Sequence, residues 1–151
     1  MTIQNHPSAI PATEFSFTST DGLRVACFRW DSLAPLRGVI QIAHRMGEHI
    51  GNYLETIEFL AQNGFTVYGS DHRGHGRTAA ANASFGDFGE GGLDPLVEDT
   101  VTLSRIAKGE NPNVPFLLLG LRGLFLRAAH TGPQPRDRCA DPLGFMERHK
   151  R

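Results

Sequence analysis

The stretch Gly-Val-Ile-Gln-Ile-Ala-His-Arg-Met-Gly-Glu-His, residues 38–49, decides how the rest of the chain is interpreted. Its first six residues carry no charge and are rich in β-branched side chains, a pattern typical of a strand buried on both faces of a sheet. The second half, His44 to His49, is polar and contains Gly47, which is typical of a loop. The stretch therefore predicts a central strand that delivers polar groups from its carboxyl end.

The residues on either side of this stretch predict further strands and helices. Before it, residues 14–18 and 23–30 have strand-like patterns, and Asp21-Gly22 between them favours a hairpin turn. After it, the predicted elements are a helix over 52–63, a strand over 65–69, a glycine-rich loop from Asp71 to Gly92, a helix over about 94–107 and an apolar strand over 116–119. This order predicts the α/β class, with an N-terminal β-hairpin and a mostly parallel, doubly wound sheet that has helices on both faces.

Three loops are expected to meet at the carboxyl edge of this sheet, where such proteins place their chemistry. The first is His44 to His49, and the second is Asp71-His72-Arg73-Gly74-His75-Gly76-Arg77-Thr78. The third follows Leu-Leu-Gly at 118–120.

With Phe-Gly-Asp-Phe-Gly at 85–89, these loops resemble the serine α/β-hydrolases of the monoacylglycerol lipase and lysophospholipase-like (serine aminopeptidase-type) group. That group carries His-Gly-x-Gly-Glu-His after its third strand and Asp-x-Arg-Gly-His-Gly after its fourth. Its nucleophile lies in Gly-His-Ser-Met-Gly after the fifth strand. The first motif matches at every position but one, the second matches fully, and the resemblance covers residues 14–120. It implies an α/β-hydrolase fold that is incomplete here, ending after the fifth strand.

The resemblance implies a function for the first loop. In such enzymes backbone N–H groups stabilise the negative charge that develops on the ester oxygen during attack, and the N–H of Met46 is implied to be one of these donors. Arg45 is the one departure from the motif, because the family has glycine there. We expect a bulky cation at that point to strain or obstruct the turn.

The remaining loop residues are interpreted as structural. These residues are His44, Gly47, Asp71, Arg73, Gly74, His75 and Gly76. Glycines permit the turn, and the polar side chains tie it together by hydrogen bonds. The alternative is a zinc site built from His44, His49, His72 and His75. Their spacing matches none of the usual zinc signatures, so we predict neither a metal nor a cofactor.

The nucleophile that the family pattern requires is missing. After Gly120 the chain reads Leu121-Arg122-Gly123, so that Arg122 occupies the serine position, and residues 121–151 contain no serine. Arginine can neither attack a carbonyl nor be deprotonated for that purpose. Thr131 and Cys139 lack a nucleophile elbow, and His130 and His149 lie in unrelated contexts. We therefore predict no catalytic residue and no activity in this chain.

The composition changes where the motif pattern ends. Residues 121–151 hold 7 basic and 3 acidic residues, against 8 and 13 in residues 1–120. Loss of two bases from the histidine codon of GGC-CAC-TCC-GTG-GGC-TC, which encodes Gly-His-Ser-Val-Gly, would make the DNA encode Gly-Leu-Arg-Gly-Leu, as at 120–124. We interpret residues 121–151 as a non-homologous, frameshifted basic tail and residues 1–13 as a flexible N-terminus. The strand at 116–119 is then predicted to be an exposed, aggregation-prone edge.

Global properties restrict the partners. The net charge of −1 and pI near 6.6 give no electrostatic reason to expect nucleic acid. The sequence shows neither a signal peptide nor an apolar run long enough to cross a membrane, so a cytoplasmic protein is expected, with the oligomeric state open.

The resemblance implies a carboxylic ester of a lipid as the family's substrate. One alternative is a non-catalytic pseudo-hydrolase that binds a lipid-like ligand or a partner chain. A nucleotide-binding domain is the weaker alternative, since no phosphate-binding glycine motif is present.

Overall fold

The computed structural model describes residues 10–120. Five strands and three α-helices are found in this part of the chain. They are β1 (Thr13–Thr18), β2 (Arg24–Trp30), β3 (Gly38–Ala43), α1 (Leu54–Gln62), β4 (Phe65–Ser70), α2 (Gly76–Asn82), α3 (Leu93–Glu110) and β5 (Phe116–Gly120). A short 3-10 helix, Ile50–Tyr53, leads directly into α1.

The described strands form a single sheet in the order β1-β2-β4-β3-β5. β2 is antiparallel to both of its neighbours, β1 and β4, whereas β3 is parallel to both β4 and β5. Four of these five strands therefore point the same way, with β2 reversed. The predicted α/β class, with its N-terminal hairpin and mostly parallel strands, is confirmed.

Helices cover both faces of the sheet, as predicted. All six residues of β3 are buried, which requires cover on both sides because successive side chains of a strand point to opposite faces. Ile40 and Ile42 belong to a core cluster that includes Ile57 of α1. On the other face Val39 packs in a cluster with Leu103 of α3. The apolar run that predicted a doubly buried strand thus reflects a sheet covered by α1 on one side and α3 on the other.

The segment predicted as one glycine-rich loop from Asp71 to Gly92 contains a helix, α2, and that part of the prediction was wrong. The helix has seven residues, too few to show a helical repeat of apolar positions. Three consecutive alanines, Ala79 to Ala81, supply its helix propensity. The helix ends at Ala83, which adopts the left-handed conformation with φ 51°.

The start of the folded region differs from the boundary predicted from the sequence. Ile10 is buried in the core and β1 begins at Thr13, so the packed body starts before the predicted boundary at Glu14. Residues 1–9 of the predicted flexible N-terminus and the predicted tail, 121–151, lie outside the described residues. Within residues 10–120, none of the helices has the length and apolar character needed to cross a membrane.

Candidate active-site loops

The loops after β3 and β4 lie side by side because of the strand register. Ile42 of β3 pairs with Gly69 of β4, and Ala43 pairs with Gly120 of β5. The three parallel strands therefore end at one level. His44 and Asp71 therefore leave the sheet at neighbouring points, next to the end of β5 at Gly120, at the edge where the sequence predicts the chemistry.

His44 and His72 bind the two loops together through reciprocal hydrogen bonds. The N–H of His72 donates to Nε2 of His44 over 2.9 Å, and Nε2 of His72 donates to the His44 carbonyl oxygen over 3.1 Å. Nδ1 of His44 in turn donates to the Arg45 carbonyl oxygen over 2.8 Å. An Nε2 that accepts and an Nδ1 that donates define one neutral tautomer, so these bonds specify the protonation state of His44.

Both of these rings are buried, and burial disfavours the charged imidazolium. Burial lowers the pKa of His44 below its ordinary value, although the bond to the Arg45 oxygen opposes this. Burial, reinforced by the neighbouring His44, lowers the pKa of His72 to about 3. The ring centroids are only 3.9 Å apart, so two positive charges here would repel strongly. The pair is therefore neutral at physiological pH.

His75 makes a second link between the loops. Its Nε2 accepts the N–H of Gly47 over 3.0 Å, and its Nδ1 donates to the Arg73 carbonyl oxygen over 3.0 Å. Gly47 occupies the left-handed region, with φ 78°. Among residues 10–120, no acceptor is found for the adjacent N–H of Met46, a residue that is 60% exposed. The turn thus presents one free backbone donor beside one that His75 has engaged.

Arg45 does not strain this turn, contrary to the expectation from the sequence. The described non-glycine residues with positive φ are Ala83 and Asn113, so Arg45 has an ordinary φ. The left-handed conformation is adopted by Gly47 instead. Residues with an L side chain tolerate this conformation less well than glycine does. Arg45 itself is exposed, and its carbonyl oxygen accepts the N–H of Glu48 over 3.1 Å.

Asp71 joins the second loop to the two helices beside it. One carboxylate oxygen accepts the N–H of Ile50 over 2.9 Å, and the other accepts the N–H of Arg77 in the first turn of α2 over 2.8 Å. These bonds satisfy backbone donors that helix starts leave free. Gly76 lets the chain pass close to this carboxylate, because a Cβ there would lie 2.5 Å from Cγ of Asp71. Asp71 therefore has a structural position.

Arg73 is fully buried and ties the second loop to distant parts of the chain. Its Nε donates to Asp99 of α3 over 2.9 Å, and one terminal nitrogen donates to Asp21 in the hairpin turn over 2.7 Å. The same nitrogen donates to the Phe88 carbonyl oxygen over 3.0 Å. Burial alone would lower the pKa of Arg73, but its bonds to the Asp21 and Asp99 carboxylates hold the pKa above its usual value.

The segment containing Phe-Gly-Asp-Phe-Gly lies against the second loop. The N–H of Gly86 donates to the Gly74 carbonyl oxygen over 2.8 Å. The Phe88 ring lies 5.6 Å from the His75 ring, measured between centroids. The Phe-Gly-Asp-Phe-Gly segment is therefore in direct contact with the second loop.

The structure brings the predicted loop residues together at one end of the sheet. Sequence reasoning missed several of their partners, because most of these lie far away in the chain and none has a local pattern that indicates the contact. The missed residues are Ser19, Asp21, Thr78 and Asp99. The predicted nucleophile position, Arg122, lies outside the described residues, as do Thr131, Cys139, His130 and His149.

Three histidine rings in these loops are engaged in hydrogen bonds, and Cys27 is a buried thiol. The rings of His44, His72 and His75 are engaged in the hydrogen bonds described above, and residues 10–120 contain no group of three or more metal-ligating side chains. Cys27 is buried in β2. Burial, with the charges of Asp99 and Asp71, raises its pKa to about 12, so it is a neutral thiol at physiological pH.

Comparison with known proteins identifies relatives over the same region. Residues 34–121 match a family described as serine aminopeptidase, S33. A monoacylglycerol lipase of Mycolicibacterium smegmatis is 35% identical over 108 residues, which cover 72% of this chain and 37% of that protein. A monoglyceride lipase homolog of Monkeypox virus is 34% identical over 96 residues, covering 64% of this chain and 33% of that protein.

The folds agree as well. A thermostable carboxyl esterase from Bacillus coagulans, whose structure contains glycerol, superposes with a TM-score of 0.68 at 33% identity. The match covers 73% of this chain and 36% of the esterase. The chain thus spans little more than a third of the length of these relatives.

Proposed function

The chain belongs to the serine aminopeptidase S33 family of α/β-hydrolases, and we propose that it carries the oxyanion-loop half of a lipid-ester hydrolase without hydrolysing esters itself. The fold and the loops after β3 and β4 are those of a monoacylglycerol lipase-like protein. The observation that carries the proposal is Arg122, two residues beyond the end of β5. That is where the family pattern places its nucleophilic serine, and arginine cannot replace it.

The turn at Met46 supports the assignment of the oxyanion side of the site. Its free N–H lies in a turn held by hydrogen bonds to His44 and His75, so the donor is fixed before any substrate arrives. Preorganised donors of this kind stabilise the developing charge of acyl transfer. The ancestral substrate that we propose is a monoacylglycerol, in keeping with the relatives' names, or a lysophospholipid, which the resemblance of the loop motifs implies.

We also propose that a shift of reading frame after codon 120 produced the basic residues 121–151. The support is the coincidence of three changes near Gly120: the motif pattern ends, serine disappears and the charge becomes positive. Sequencing the coding DNA tests this directly. A frame that continues as Gly-x-Ser-x-Gly, with a later Asp and His, is the expected result. Frames without such a continuation would refute the frameshift.

Activity is tested on the purified 151-residue chain with a fluorophosphonate probe and with release of fatty acid from a monoacylglycerol. We expect neither covalent labelling nor hydrolysis above the rate without protein. The M. smegmatis monoacylglycerol lipase serves as the positive control under the same conditions. Stoichiometric labelling at a defined residue would overturn the proposal, whereas saturable monoacylglycerol binding without labelling would favour the non-catalytic pseudo-hydrolase.

A further inference from the structure

We propose that His75 is a positioning residue, whose Nε2 orients the turn at 45–48 through the Gly47 N–H and releases the turn when this nitrogen is protonated. The inference rests on the proposed function only in treating Met46 as the oxyanion donor. It adds a regulation of that site, because the orientation of a backbone donor becomes dependent on the charge of one side chain.

The hydrogen bond between Gly47 and His75 restricts the orientation of the backbone at Met46. The peptide unit that carries the Gly47 N–H also carries the Met46 carbonyl, so fixing this N–H fixes the plane on one side of Met46. On the other side of the turn, the Arg45 carbonyl oxygen is held by Nδ1 of His44. The peptide plane that bears this carbonyl also bears the Met46 N–H. Histidine rings therefore hold the peptide planes on both sides of the Met46 Cα, and the free donor lies in one of these planes.

His75 differs from the other two histidines in its access to solvent. His44 and His72 are buried, whereas His75 is partly exposed. Protonation of Nε2 turns the acceptor into a donor, and the Gly47 N–H then faces another N–H. His75 can therefore lose its bond to the turn while the His44–His72 link is intact.

Several titratable or charged groups surround this ring. His44 lies 5.5 Å away between centroids, from the loop after β3. His72 and Arg73 belong to the loop of His75 itself, and Asp87 precedes the Phe88 that packs on the ring. Of these, Arg73 is engaged by Asp21 and Asp99, so its charge is already compensated.

Amide exchange and chemical shifts of the ¹⁵N-labelled full chain test the proposal. In His75→Leu the Gly47 N–H should exchange at least about tenfold faster, because its acceptor is gone. His75→Gln, whose side-chain oxygen can accept at the same place, should restore protection. His49→Gln is the matched control, since its ring makes no bond to Gly47, and it should leave exchange at Gly47 unchanged.

The pH series distinguishes positioning from general stability. In the unaltered chain the Gly47 amide shift should change together with the ring signals of His75 across the pH series, and this joint change should be absent in His75→Gln. The His72 N–H, which donates to His44, is the internal reference and should stay protected in His75→Leu. The proposal would be overturned if the Gly47 and His72 amides both lost protection in His75→Leu. It would also be overturned if the Gly47 amide shift did not change together with the His75 ring signals. Fluorophosphonate labelling would contradict the proposed inactivity and leave this amide test unaffected.

Discussion

At the scale of single residues, His72 couples the folded state to pH. Its pKa of about 3 in the folded chain lies well below the ordinary value of about 6.5 that applies after unfolding. The unfolded chain therefore binds the proton first, and the stabilisation is fully present above about pH 6.5 and is lost as pH falls toward 3. The buried pair with His44 thus makes the fold sensitive to mild acid.

We predict that His72→Gln flattens this dependence. Glutamine keeps a donor for the His44 carbonyl oxygen but binds no proton in this range. Between pH 6 and 5, the free energy of unfolding of the unaltered chain should fall by up to about 1.4 kcal/mol more than that of the variant. Urea unfolding at pH 7, 6 and 5 measures this, a window that avoids most carboxylate titration. Parallel pH profiles for the two proteins would contradict the prediction.

The first loop shows what a motif can and cannot predict at this scale. The residue types of the loop predict a turn with a backbone donor, and the N–H of Met46 has no acceptor within residues 10–120. The expected strain at Arg45 was wrong because the left-handed conformation falls two residues later, on Gly47. Dihedral angles depend on the bonds that hold the turn, such as that from Gly47 to His75, and a sequence motif does not list those bonds.

At the scale of elements, Arg73 joins the β1–β2 turn, the loop after β4 and α3. We predict that Arg73→Met destabilises the chain by about 3–5 kcal/mol, because it leaves Asp99 charged and buried without its partner. Chemical unfolding monitored by Trp30 fluorescence measures this loss.

Arg77→Met is the matched control for Arg73→Met. Arg77 pairs with Glu14, and both side chains are more than 60% exposed. Exposed pairs contribute about 0–1 kcal/mol, so the control should cost no more than that. Equal losses in the two variants would show that the buried network has no special importance.

The strands and helices that could be predicted are those whose own residues contain the pattern typical of the element. β3 was predicted with its bounds, because a run of β-branched residues reports burial on both faces directly. α2 was missed because its start is fixed by Asp71, five residues before Gly76, and not by its own residues. Asp99 was missed as a partner of Arg73 because an acidic residue on a helix is usually solvated.

At the scale of the whole molecule, β5 forms one side of the described sheet. It pairs with β3 there, and Leu117 is 57% exposed. A strand edge with uncharged apolar residues can pair with other chains. We predict that Leu117→Glu increases the soluble fraction after expression while changing the unfolding free energy by less than about 0.5 kcal/mol.

Leu33→Glu separates an edge effect from a general effect of charge. Leu33 is 62% exposed but lies in the connection between β2 and β3, away from a strand edge. Centrifugation of lysates and light scattering of the purified chains compare the three proteins. If Leu33→Glu improves solubility as much as Leu117→Glu, the edge of β5 is not the source of aggregation.

The bonds that arrange the two loops also determine when that arrangement can arise during synthesis. The links of His72 to His44, Asp71 to Ile50 and Asp71 to Arg77 join residues 28, 21 and 6 positions apart. Loops of this size close in microseconds or less, whereas a ribosome adds about 5–20 residues per second. The partners of each link are therefore synthesised seconds before codon 121 is translated. A change of reading frame at that codon would reach a nascent chain whose donor turn had already had time to form.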